Sequence, residues 1–166
     1  MAKNAVYRVP FRRRREKRTD YRSRRILLQA RKPRFVVRRS NKYISAQVVQ
    51  FDSKGDLTLA SATSQQLAKF GWDKGTKNLP AAYLTGYLIG KRAQAAKVKE
   101  GILDLGVMTS QRGGRLYATL KGILDSGVAI PHSDDIFPPE ERINGQHIDE
   151  KLNTLVETTK NKIDKA

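Results

Sequence analysis

Three short apolar-bearing runs in the first half of the chain read as strands, and in the second of them, 43–51, the two faces alternate with a period of two. Phe35, Val36 and Val37 lie between arginines at 34, 38 and 39. After a turn at Ser40, Asn41 and Lys42, the run 43–51 places Ile44, Ala46 and Val48 on one side and Ser45 and Gln47 on the other. The stretch 52–56, Asp-Ser-Lys-Gly-Asp, reads as a hairpin turn into a third strand over 57–62. These three strands predict an antiparallel meander. Upstream, Thr19 or Asp20 is placed to cap a helix that runs to Lys32 and stops before Pro33.

Downstream the period lengthens. Residues 64–70 predict a short helix, and Asn78 with Pro80 opens a long one that reaches Lys99 and ends at Gly101. A short strand over 102–105, a helix over 112–126 stopped by Gly127, and a last strand over 128–130 follow. Residues 131–139 read as a loop and 147–162 as a polar terminal helix. The order β-β-β-α-β-α-β predicts an α/β fold, a mixed sheet covered by helices. Three segments emerge: a basic arm and helix over 1–32, the α/β body over 33–131, and an acidic loop and helix over 132–166.

Charge changes this picture more than composition does. The chain has 166 residues, no cysteine and a formal charge of +17. Residues 1–50 hold 17 basic side chains against 2 acidic, whereas residues 122–166 hold 5 against 9. One end is a polycation, which points to a polyanionic partner. The absence of thiols removes disulfides, Cys-based zinc sites and cysteine nucleophiles. The longest uncharged apolar-leaning run, 79–90, is too short to span a bilayer. The first thirty residues carry no apolar core of a secretory signal, so a cytoplasmic protein is expected.

The basic residues of the arm and helix are Lys3, Arg8, Arg12, Arg13, Arg14, Arg15, Lys17, Arg18, Arg22, Arg24, Arg25, Arg31 and Lys32. Arginine dominates, and its planar fork binds phosphate through paired hydrogen bonds and stacks on bases. Tyr7, Phe11 and Tyr21 interleave with these cations, as recognition of unpaired nucleotides favours. Arg18, Arg22 and Arg25 are spaced to form one helical stripe, and Ile26, Leu27 and Leu28 offer an apolar end for docking on the body. A membrane-surface helix needs a broad apolar face, which residues 3–25 lack. A second basic cluster, Arg112 and Arg115 among glycines and hydroxyls at a helix start, suits a secondary phosphate contact.

Catalytic motifs are weak by comparison. Gly86 and Gly90 followed by Lys91 lack the spacing and the hydroxyl of a phosphate-binding loop; they predict close approach of the helix to the sheet. His132 and His147 have no metal-ligand spacing. Asp52, Asp56 and Asp104 are the candidates for a metal-dependent nuclease, Asp104 foremost because its strand is central. The first two lie in a turn, where aspartate stabilises backbone.

Four stretches carry a resemblance: 34–50 with RRSNKYI, 58–64 with LASATS, 78–93 with AYLTGYLIGKRA, and 104–127 with DLGVMTSQRGG. Together they resemble the large-subunit ribosomal protein eighteen family, in its archaeal and eukaryotic branch. The resemblance implies a ribonuclease-H-like three-layer fold lacking the catalytic carboxylates, and no enzymatic activity, metal or cofactor. It implies binding to 5S rRNA, anchoring in the central protuberance, and contacts with 23S rRNA and the other 5S-binding protein, numbered five. The arm and first helix match the family's main RNA-binding segment. Arg38, Arg39, Asn41, Lys42 and Tyr43 match its basic hairpin, and Tyr21 and Tyr43 are placed to stack on a base or sugar.

Overall fold

A computed structural model describes residues 6–149 and 151–165. The arm is not wholly extended: α1 (Arg12–Arg15) forms one turn before α2 (Tyr21–Gln29). Asp20 caps α2, its carboxylate accepting from the backbone of Arg22 at 2.9 Å and from the Ser23 hydroxyl at 2.6 Å. Those bonds, the Ser23 hydroxyl foremost, hold the Asp20 carboxyl below its ordinary value. Arg18 precedes α2, so the expected stripe is reduced to Arg22 and Arg25 within the helix. The helix also stops short of Lys32, with Arg31 at φ +52° turning the chain toward Pro33.

The meander forms as expected from β1 (Arg34–Arg39), β2 (Ile44–Gln50) and β3 (Leu57–Thr63). Phe35 opposes Val48 and Val37 opposes Ala46; between Val48 and Val49 the register with β3 slips, leaving Leu59 as the extra residue of a bulge. A 3₁₀ segment, Ser64–Phe70, ends at Gly71 in the left-handed region. Asn78 then caps α3 (Leu79–Ala95) by accepting from Ala81 N at 2.9 Å.

That helix ends four residues before the expected Lys99. Lys97 adopts φ +60°, its amide bonds Gln94 O, and the Val98 amide bonds Ala93 O. This is a Schellman stop with lysine in the place glycine usually holds, fixed by burial of Val98. Next come β4 (Ile102–Asp104) and α4 (Arg115–Asp125). The latter starts three residues later than expected, because Gln111–Gly114 closes a turn first. The chain finishes with α5 (Glu140–Ile143) and α6 (Lys151–Asp164).

The sheet order is β3-β2-β1-β4, antiparallel except for the parallel β1–β4 pair. Residues 128–130 do not add a fifth strand; Ala129 makes a single parallel bridge to Glu100. The ladder would next need an amide at position 131, and Pro131 has none. Phe35, Val37, Ile44, Ala46, Val48 and Ala62 face α3 and α4 and are buried with Leu84, Ile89, Leu120 and Ile123. Gly86 and Gly90 do not open α3 toward the sheet, as expected, but toward α4. A Cβ at Gly86 would lie 1.9 Å from Thr119 O, and one at Gly122 would lie 2.1 Å from Tyr83 O. The two backbones therefore touch.

The C-terminal helix α6 packs on α3 through a polar clamp. Tyr87 donates to Asp164 at 2.7 Å, Lys91 pairs with the same carboxylate at 2.7 Å, and Lys160 sits 4.9 Å from the Tyr87 ring centroid. Among the described residues no helix is long and apolar enough to cross a membrane.

Candidate nucleic-acid interface

The arm displays its cations because it has little else to do with them. No residue of α1 or α2 is buried. Glu16 takes Arg12 at 3.0 Å and Arg18 at 3.3 Å, and Arg13 donates to the Thr19 hydroxyl at 2.8 Å. The Phe11 and Tyr21 rings meet at 5.7 Å and hold the two helices together. Arg8, Arg15, Lys17, Arg22 and Arg25 are exposed and have no carboxylate within ion-pair distance among the described residues. Arg14 is also exposed, with Asp20 the nearby acid. Lys3 lies outside the described residues.

Arg24 and Arg38 behave differently. Arg24 reaches from α2 to Asp56 at 2.8 Å, and the same carboxylate oxygen takes buried Arg34 at 2.7 Å. Burial opposes ionisation of Asp56, but the hydrogen bonds from Arg24 and Arg34 outweigh it and hold the carboxyl below its ordinary value. Arg34 also binds Asp104 at 2.8 Å, and Arg38 binds the other Asp104 oxygen at 3.1 Å. The Gly106 amide donates to Asp104 at 2.9 Å. Arg38, matched to the basic hairpin by the resemblance, is half-buried against a carboxylate on the neighbouring strand. Nothing near it in sequence signals that pairing.

The same network accounts for the candidate acids. Asp104 is surrounded by two guanidinium groups and an amide, and Asp56 by two guanidinium groups, so both serve as anchors for arginines. Asp52 accepts from its own turn at Lys54 N, 3.3 Å. Among the described residues no group of three or more metal-ligating side chains is assembled. His132 bonds Ile130 O at 2.7 Å and stacks edge-on to Phe137; His147 is exposed.

A second basic surface forms at the far end of β1. Ser40 and Tyr43 close the hairpin, leaving Arg39, Asn41, Lys42 and Tyr43 exposed. Three contacts gather loops around it: Thr76 donates to Lys42 O at 2.9 Å, Arg39 N to Met108 Sδ at 3.3 Å, and Arg115 to Lys77 O at 3.3 Å. Lys74 and Lys77 thereby join the surface although the sequence reading passed over them; two lysines flanking Gly75 and Thr76 before a helix cap were the available signal. Arg112 is exposed in the loop before α4. The expected anion cradle there is partly spent, because Gly113 N and Gly114 N bond Ile136 O and Gln111 O.

The family model described as ribosomal large subunit proteins 60S L5 and 50S L18 matches residues 5–101, more than half of the chain. The chain belongs to this family. Its similarity to curated members extends further. The large ribosomal subunit protein uL18 of Korarchaeum cryptofilum (strain OPF8) is 56% identical over 148 residues, covering 89% of this chain and 76% of that protein. The uL18 of Methanococcoides burtonii is 48% identical over 152 residues, 92% of this chain and 88% of the relative. That of Haloarcula marismortui is 49% identical over 150 residues, 90% and 80%. These uL18 relatives are named for a place in a particle and not for a reaction.

Proposed function

We propose that this chain is a non-enzymatic constituent of the large ribosomal subunit that binds 5S rRNA and holds it in the central protuberance. In this reading the segment 1–32 neutralises phosphates, the body 33–131 is the scaffold, and the acidic segment 132–166 braces it. The basic hairpin surface makes the secondary contacts, 23S rRNA among them, beside the other 5S-binding protein, numbered five. The parallel β1–β4 pair flanking an antiparallel meander supports a ribonuclease-H-like body. The observation that carries the reading is the set of exposed arm cations without carboxylate partners, set against the pairing of Arg24, Arg34 and Arg38. Exposed arm cations are available to phosphate, whereas Arg24, Arg34 and Arg38 also tie the scaffold together.

Duplex RNA hides its base edges in a deep, narrow groove, so recognition falls on loops, bulges and shape. Engagement of about six to ten phosphates should cost roughly three to five orders of magnitude in affinity between low and moderate salt. The test is binding to refolded 5S rRNA across a salt series with transfer RNA and duplex DNA as competitors. Tight binding that resists both competitors is expected. Displacement by transfer RNA and duplex DNA as readily as by unlabelled 5S rRNA would mean that charge alone is acting, and would overturn the 5S assignment.

A further inference from the structure

A cleft of about 640 Å³ separates α2 from the face of the sheet turned away from α3 and α4. Its floor includes Val36 and Val49, and its arm side carries Arg13 and Arg18. Arg34 forms part of the wall: its side chain is only 3% exposed, and both terminal nitrogens are committed to Asp56 and Asp104. Its Nε, also buried, has no partner among the described residues. A buried donor without an acceptor is costly and is rarely left so. The helix above is a loose roof, with Ile26 61% exposed and Arg24–Asp56 the ion pair that ties it to the body.

We infer that this cleft receives one unpaired nucleotide extruded from the bound RNA. The inference rests on the RNA-binding reading and adds where a base goes. The volume lies within the range of small-molecule pockets and is far larger than a lone phosphate needs. The apolar floor suits the face of a base, and the guanidinium groups of Arg13 and Arg18 suit its phosphate. An extruded base costs least where it is already unpaired, so the cleft selects loops and bulges over duplex.

The chain has no cysteine, so Thr58→Cys places a single thiol at the cleft. Ser53→Cys in the exposed hairpin turn reports general shielding. The full-length variants are titrated with 5S rRNA, and separately with 5S rRNA carrying 2-aminopurine at one unpaired adenosine at a time. With RNA at about ten times its Kd, alkylation of the Thr58→Cys thiol should slow about tenfold, since only free protein reacts. The Ser53→Cys thiol should react as before, and one 2-aminopurine position should brighten as its base leaves the stack. Protection without any brightening would show a strand passing through with its bases stacked, and would overturn the inference. Unprotected Thr58→Cys in a complex visible by gel shift would overturn it while leaving RNA binding intact. Failure to form any complex would bring down both readings.

Discussion

Adding one methyl group at Gly86 sets helix propensity against packing. Inside a helix, alanine is favoured over glycine by about 1 kcal/mol, so propensity alone predicts a stabilised protein. The packing predicts the opposite. A Cβ at Gly86 would stand 1.9 Å from Thr119 O, 2.8 Å from Thr119 C and 3.0 Å from Thr119 Cα. All three are backbone atoms, so no rotamer change relieves the overlap. An ordinary carbon–oxygen contact is about 3.3 Å, which requires α3 and α4 to part by roughly 1.4 Å. A gap of that size forfeits a large share of the dispersion contacts between the helices. Overpacking commonly costs about 1–3 kcal/mol, and a backbone seat belongs at or beyond the upper end. Taking about 4 kcal/mol and subtracting the propensity gain leaves a net loss of about 3 kcal/mol. That corresponds to a melting temperature lower by about 6–12 °C for a chain of this size. Trp72, the sole tryptophan and buried, provides the fluorescence signal for urea unfolding. With a slope of about 2 kcal/mol per molar, the midpoint should fall by about 1.5 M. Gly122→Ala meets Tyr83 O at 2.1 Å and should behave alike, while the double variant should cost less than the sum, since parted helices accommodate both methyls. A Gly86→Ala midpoint equal to or above wild type, at unchanged slope, would refute the backbone seat.

Three further outcomes are expected. Asp104→Asn should destabilise the fold by about 3 kcal/mol in urea titration, because it leaves buried Arg34 without its full counter-charge; a fully stable variant would contradict the anchoring role. The α6 clamp should be bounded by pH on both sides. Lys91 first and Tyr87 second hold the Asp164 carboxyl below 3.8, so its contribution is present above that value and lost as pH falls through the lowered one. Burial first and the Asp164 bond second raise Tyr87 above 10.0, so its contribution is present below that value and lost as pH rises past the raised one. The difference in urea midpoint between wild type and Asp164→Asn should therefore narrow on acidification below 3.8, and a difference that does not narrow would contradict the pairing. Deleting residues 1–25 should reduce RNA affinity by orders of magnitude while lowering the body's stability by no more than about 1 kcal/mol, as no residue of α1 or α2 is fully buried and the tie that is lost is the part-exposed Arg24–Asp56 pair. Undiminished affinity would overturn the role of the arm.

Strands β1 to β3 were legible because a half-buried sheet writes its period directly into the side chains. The caps at Asp20 and Asn78 were legible because their chemistry is local. The misplaced end of α3 and the missing fifth strand are local too, but each turns on one backbone detail: a lysine in the left-handed region, and a proline where the ladder needed an amide. The pairing of Arg38 with Asp104 and the direction the α3 glycines face were not legible for another reason. Whether a cation is free, or which layer a glycine approaches, depends on a partner far along the chain, and periodicity carries no information about that partner. The exposure of the arm's cations was readable because a charge run without apolar neighbours needs no tertiary context.

The parallel pairing of β1 with β4 has a consequence for the order in which the molecule becomes available. Synthesis proceeds from the N-terminus at about 5–20 residues per second. The arm and the meander emerge first, whereas Ile102, which lies opposite Arg34, and the whole of α4 follow later. For on the order of ten seconds the cationic segment is exposed to polyanions while the strand bearing Asp104 has yet to be made. During that interval Arg38 lacks the carboxylate of β4 and Arg34 has only Asp56, so the nascent chain carries more uncommitted cationic charge than the finished one. Completion of β4 buries Arg34 and gives it and half-buried Arg38 a shared carboxylate at Asp104, which fixes both side chains against the sheet.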